Sequence, residues 1–283
     1  MTSDAPPPRK PYDLTMAEHD YPAWEGPPRR TILICTHPRS GSTLLGEALY
    51  FAGGLGCPLE YFHSGFLPGL AARWGTHDMA GQIEAVRRFR TDPAGTLSVK
   101  LFWRDVQDMA LELDPARFAG LLEIGPDEAS PELYRDLGRL LADAFPNAGM
   151  VHLWRRDRVR QGVSSLAAVQ TGRWRSIPEL GEQSANAATE YDFDRIDKFV
   201  SYADFANGHW RNFFAANGQA PYSLTYEDLA ADYEAAVSGV LRHFGVDAPV
   251  PPVRMRRQSG VGNEGFVLRY LREHRARAAA EPG

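Results

Sequence analysis

Arg39, Ser40, Gly41, Ser42 and Thr43 form an unbroken run directly after the apolar stretch Thr31-Ile32-Leu33-Ile34-Cys35. Leu44, Leu45, Ala48 and Leu49 follow on one face at helical spacing. A turn that leaves the carboxyl end of a strand and opens into a helix aims unpaired backbone N–H groups at one point. Gly41 lets the backbone approach a ligand closely. Arg39 adds a fixed positive charge, and Ser40, Ser42 and Thr43 add hydroxyl donors. The chemistry is that of a cradle for phosphate or sulfonate. The Gly-x-x-x-x-Gly-Lys-Ser/Thr spacing of nucleotide triphosphatases is absent, and Arg39 precedes the glycine. A small-molecule kinase is the weaker alternative, because its usual charge-neutralising parts are missing.

Further residues suit the same anion chemistry. Arg155 and Arg156 end the apolar run Met150-Val151-His152-Leu153-Trp154, and Ser164 lies about two helical turns on. Guanidinium groups suit a phosphate dianion. By residue type alone, Arg155, Arg156, Arg158 and Arg160 fit a solvated basic cluster better. Arg257-Gln258-Ser259-Gly260 lies in basic company with Arg254 and Arg256. Lys100 interrupts the apolar run Leu97–Trp103, and a lysine near the carboxyl end of a central strand points into the ligand crevice. A non-catalytic anion- or nucleotide-binding module would keep these cations and lack a base.

The elements that must position these groups are legible from periodicity. Strands are expected at Thr31–Cys35, Leu97–Trp103, Met150–Trp154 and Pro221–Thr225. Helices are expected after Gly41, around Leu133–Leu141, through Val163–Ala167, over Tyr191–Ala216, from Tyr226 through Phe244, and over a basic tail from Glu264 to Ala280. Gly53–Thr76 reads as loop. Alternation of strand and helix predicts an α/β fold, a central mainly parallel sheet flanked by helices. Residues 1–30, rich in proline, read as a flexible arm, and 31–283 as one domain. Hydrophobic residues at 43% and charged residues at 24% exclude a disordered or fibrous chain. The net charge of −5 speaks against nucleic acid as a partner. Two cysteines, no zinc-type spacing, no membrane-length apolar run and no secretory signal predict a cytoplasmic protein without a metal or stable membrane insertion.

Pro38-Arg39-Ser40-Gly41-Ser42-Thr43-Leu44-Leu45 resembles the 5′-phosphosulfate loop of sulfotransferases that use 3′-phosphoadenosine 5′-phosphosulfate (PAPS). The likeness is strongest to the bacterial trehalose 2-sulfotransferase type. It continues, in order, through Cys57-Pro58-Leu59-Glu60-Tyr61-Phe62, Val99–Trp103, Val151–Asp157, Gln161–Ser164, Arg257-Gln258 and Phe266–Tyr270. The resemblance covers about residues 31–275 and implies a P-loop-like sulfotransferase fold. It implies PAPS as co-substrate, PAP as product, and an acceptor with a free hydroxyl, a carbohydrate or glycolipid. It puts Arg39 to Thr43 on the 5′-phosphosulfate, Arg155 or Arg156 with Ser164 on the 3′-phosphate, and Arg257 over that end of the cofactor.

Steroid and phenol sulfotransferases carry Lys-Thr-His on the strand that here reads Lys100-Leu101-Phe102, and Phe102 cannot serve as their histidine base. The trehalose type carries a glutamate where this chain has Glu60, which the resemblance makes the general base. His63 is the rival. Lys100 and Arg39 would stabilise the transferring group. Trp74, Trp103, Trp174 and Tyr61 are candidates for stacking on sugar, and the segment Gln170–Ser184 is expected on the acceptor side. A homodimer fits the same reading.

Overall fold

In the computed structural model the described residues are 12–174, 189–255 and 261–280, the side chains of 261 and 262 excepted. The strands are β1 (Arg30–Thr36), β2 (Thr96–Phe102), β3 (Ala148–Trp154) and β4 (Tyr222–Thr225). They form one sheet in the order β2-β1-β3-β4, and every pairing is parallel. Between and after them run α1 (Ser42–Ala52), α2 (Leu67–Trp74), α3 (Met79–Arg90), α4 (Trp103–Leu113), α5 (Pro131–Ala144), α6 (Arg158–Thr171), α7 (Phe193–Ala216), α8 (Tyr226–Ala231), α9 (Tyr233–His243) and α10 (Val261–Ala280).

The strands read as continuous apolar runs because both faces of the sheet are covered. Along β1, Leu33 and Cys35 enter a core with α3, α4, α5 and α7, while Ile32 and Ile34 enter one with α1, α8 and α9. This is the two-residue alternation of a strand applied to two buried faces. A third cluster joins α6, α7 and α10 through Val163, Leu166, Ile196, Val267 and Tyr270. No helix among the described residues is long and apolar enough to cross a membrane.

Several boundaries differ from the sequence reading. β2 ends at Phe102, and Trp103 begins α4 because the Asp105 carboxylate accepts the Phe102 N–H at 2.9 Å and caps the helix. The single helix expected after β4 breaks into α8 and α9 at Asp232, whose carboxylate accepts from Ala235 N. The expected loop Gly53–Thr76 contains α2.

The flexible arm expected over residues 1–30 is corrected from Tyr12 onward. Tyr21 and Trp24 N–H groups donate to the Phe89 and Arg88 carbonyls at the end of α3. Arg90, fully buried, donates to the Leu14 and His19 carbonyls and pairs with Asp20 at 2.9 Å. A buried guanidinium needs acceptors, and this segment supplies them. Residues 1–11 of that arm lie outside the described residues.

Candidate active site

The turn after β1 is held in an uncommon backbone shape. Arg39 has φ 64° and Gly41 φ 82°, both left-handed. A Cβ at Gly41 would lie 2.9 Å from the Tyr226 ring, so glycine is required by space as well as by φ. With no side chain at Gly41 to cap α1, the helix opens with its N-terminus against a cavity lined by Arg39 and Gly41 to Leu44. Ser40 is the exception in the run. Its hydroxyl is buried behind the turn and accepts from Gln161 Nε2 at 3.0 Å, and the same amide donates to the Pro38 carbonyl at 2.8 Å. Ser40 therefore braces the turn, and its expected side-chain role at the ligand is corrected.

The cavity has a volume of about 550 Å³. It sits outside the carboxyl ends of β1 and β3, where the strand order reverses and α/β sheets bind ligands. Its β3 side is built by Arg155 and by Ser164 on α6. Ser164 Oγ accepts from Arg39 Nε at 2.9 Å, and Arg155 Nη1 donates to the Arg39 carbonyl at 3.3 Å. The two expected anion sites are thus one assembly. Burial, together with the neighbouring Arg155 charge, holds the Arg39 pKa below its ordinary value. Two guanidinium groups held side by side favour an anion between them.

Arg155 and Arg156 share the Glu227 carboxylate, each Nε 3.9 Å from one of its oxygens, and differ in what else they reach. The Arg155 side chain is 11% exposed and packs on Tyr226 at 4.5 Å from the ring centroid. Arg156 is 53% exposed, grips Asp228 at 3.0 and 3.4 Å, and is absent from the cavity wall. The expectation that either residue reaches the cavity narrows to Arg155. The Glu227 carboxylate accepts the Arg156 and Asp157 N–H groups at 3.0 and 3.1 Å, which fixes this turn from the first turn of α8. Arg257 lies outside the described residues, as does the expected acceptor segment from 175 to Ser184.

The sequence reading did not single out Tyr226, Tyr233, Met255 or the pair Arg160–Glu264, which meets at 2.6 Å; all line the cavity. Tyr226 carried a usable signal, since it directly follows the carboxyl end of a strand, as Arg155 does. Of the aromatics named for sugar stacking, Trp103 and Tyr61 are wholly buried and Trp74 packs against the core. Trp174 is 51% exposed and lines the cavity, its carbonyl accepting from Arg39 Nη1.

Glu60 and Lys100 do not line this cavity. They lie on the β2 side of β1 and pair at 2.9 Å, both largely buried. The stem of Lys100 passes Gly46, one turn into α1, where an added Cβ would lie 3.6 Å from Lys100 Cδ. The central turn after β1 is therefore flanked by Arg155 on one side and by the Glu60–Lys100 pair on the other. Tyr61 and Phe62, which follow Glu60 in the chain, turn into the core and do not enclose its carboxylate. Nearby, burial pushes the Asp105 carboxyl up to about 8. His63 Nδ1 accepts the Gly65 N–H at 3.1 Å, which leaves the ring proton of the neutral imidazole on Nε2.

Comparison with known proteins bears on this arrangement. A trehalose 2-sulfotransferase of Mycobacterium tuberculosis (strain ATCC 35801 / TMC 107 / Erdman) is 31% identical over 273 residues, 86% of this chain and 95% of that protein. A trehalose 2-sulfotransferase of Mycolicibacterium smegmatis (strain ATCC 700084 / mc(2)155) is 27% identical over 256 residues, 85% of this chain and 94% of that protein. Among solved structures, a sulfotransferase domain from the Synechococcus PCC 7002 olefin synthase aligns over 79% of this chain and 75% of that one, with 16% identity and a TM-score of 0.34. The family described as Stf0 sulphotransferase matches residues 31–273, from the first residues of β1 into α10. The match takes in the turn after β1, Glu60, Lys100, Arg155 and Ser164 alike, and the chain belongs to the Stf0 sulphotransferase family.

Proposed function

We propose that this sulfotransferase moves a sulfuryl group from PAPS to a hydroxyl of a sugar acceptor. The observation that carries the reading is the convergence of Arg39, Arg155, the Ser164 hydroxyl and the N-terminus of α1 on one cavity at the switch point of the sheet. The donor set fits the co-substrate. Two guanidinium groups and a helix N-terminus suit the phosphates, Tyr226, Tyr233 and Met255 offer an apolar wall to a flat base, and about 550 Å³ lies within the usual range for such ligands. The names of the two relatives support a sugar acceptor.

PAPS supplies the sulfuryl group on a phosphate leaving group. In this reading Arg39 and the first-turn N–H groups of α1 hold the leaving phosphate and stabilise the charge that develops there. Arg155 and Ser164 hold the 3′-phosphate end. Lys100 keeps Glu60 Oε1 in place, and Glu60 Oε2, which has no hydrogen-bond partner among the described residues, takes the acceptor hydroxyl proton. The positive field comes from Arg39, Lys100, Arg155 and the helix N-terminus.

Thermal unfolding with PAP and with ATP tests the donor. A ligand at a hundred times its dissociation constant adds about 2.7 kcal/mol to stability. PAP is expected to raise the midpoint and ATP is not, and incubation with PAPS and trehalose should give a product heavier by one SO₃. A shift with ATP and none with PAP would overturn the reading.

A further inference from the structure

Val253 and Met255 line the cavity, and Arg254 between them does not. Arg254 turns the other way, its guanidinium 3.8 Å from the Phe51 ring centroid and 5.6 Å from that of Tyr12. The two rings meet edge-on at 5.0 Å and 84°. Phe51 sits in the last turn of α1, the helix whose first residues, Ser42 to Leu44, face the same cavity. One helix therefore meets the ligand space at its N-terminus and, through Arg254, anchors a further wall of that space at its other end.

Tyr12 is itself anchored. Its hydroxyl donates to Glu47, a buried carboxylate one turn before Phe51 on α1. Two residues on, Leu14 is buried, and its carbonyl accepts from the fully buried Arg90 at 2.9 Å. The same charges bear on the cavity wall at Tyr233. Burial pushes its hydroxyl up to about 12, with the Glu47 charge adding to the effect and the Arg254 charge opposing it. Arg254 Nε is buried without a hydrogen-bond partner among the described residues, so the two rings carry its hold. A guanidinium over aromatic rings is attracted by their quadrupoles, more strongly where water is excluded. Tyr12 lies outside the family match, which begins at residue 31.

We propose that Tyr12 and Arg254 are positioning residues for the sulfuryl donor. They touch no reacting atom. Arg254, clamped between the last turn of α1 and the segment ahead of β1, holds Val253 and Met255 as a preformed wall for the flat base of PAPS. Without the clamp that stretch of chain must be ordered at the moment of binding, and the ordering is subtracted from affinity. The inference rests on the PAPS reading and gives Tyr12, ahead of the family match, a task in donor binding.

The test compares the parent with Tyr12→Ala, Arg254→Ala and Arg254→Lys, all checked for folding by circular dichroism. Methyl-¹³C methionine NMR reads the wall directly, with Met255, one of six methionines, assigned by Met255→Leu. In ligand-free Tyr12→Ala and Arg254→Ala the Met255 signal should move toward that of a solvent-exposed methionine, and the PAP dissociation constant should rise about three- to tenfold. Arg254→Lys, which keeps a cation over the rings, should restore most of both. A parent-like Met255 signal in the two alanine variants overturns the clamp, and PAP binding by the parent then leaves the transferase reading standing. A shifted Met255 signal with unchanged PAP affinity, or an Arg254→Lys protein as weak as Arg254→Ala, overturns the positioning role. If the parent does not bind PAP while the Met255 signal still shifts in both alanine variants, the donor reading falls and the clamp stands.

Discussion

Replacing Arg155 by alanine isolates one half of the Arg39–Arg155 assembly proposed to hold the phosphates. Its side chain is 11% exposed, stacks on Tyr226 and touches the Arg39 carbonyl, so its charge acts in a largely desolvated place. Losing one charge-assisted contact there costs about 1.5–3 kcal/mol. At 1.4 kcal/mol per decade, the PAP dissociation constant should rise about 10- to 140-fold. Arg156→Ala is the matched control. Its partner Asp228 is also more than half exposed, so solvent screens the pair and its loss should leave PAP affinity unchanged. Arg155→Lys should fall between, because it keeps the charge and loses the planar fork. Calorimetric titration of PAP into the three variants, with circular dichroism as a check on folding, reads the result. Parent-like binding by Arg155→Ala, or an equal loss in Arg156→Ala, would refute the assignment of the 3′-phosphate to Arg155.

Two more outcomes are expected. Glu60→Gln keeps size and most hydrogen bonding and cannot take a proton at neutral pH, so kcat should drop about 10²- to 10⁴-fold with PAP affinity unchanged; a near-normal kcat would remove Glu60 from the chemistry. Burial holds His37 at about 3, with the Arg158 charge adding to the effect, and it holds His152 and His209 at about 4. These folded values lie below the unfolded value of about 6.5, so the stability the three contribute is complete above that pH and is lost as pH falls toward about 4, by up to about 1.4 kcal/mol per unit for each. The urea midpoint should therefore decrease between about pH 7 and about pH 5, and an unchanged midpoint would show that these rings do not stay neutral in the fold.

The turn after β1 was legible because its parts are contiguous. Strand, turn and helix adjoin in the chain, so Arg39, Gly41, Ser42 and Thr43 reach one point by local geometry alone. Four strands and their order along the chain followed from apolar runs. The ordered motifs carried the family, which the match over residues 31–273 bears out. Helices α3 and α4 went unassigned, and Trp103 was counted as strand, because an aromatic at the end of an apolar run fits either state until the Asp105 cap decides it.

What the sequence could not decide depended on partners far along the chain. Neighbouring residues on a turn point in different directions, so the choice between Arg155 and Arg156 depended on Tyr226, Glu227 and Asp228, some seventy positions later. The contact between Arg39 and Ser164 joins groups 125 residues apart. Ser40 looked equivalent to Ser42 until Gln161 claimed its hydroxyl from behind. The sheet order β2-β1-β3-β4 places β1 between β2 and β3, and so sets Glu60 and Lys100 on one side of the turn after β1 and Arg155 on the other. Residue type and local spacing determine which charges a segment offers. Which of them meet at one point is set by strand order and by the packing of both sheet faces, because burial admits only those side chains whose partners the fold brings alongside.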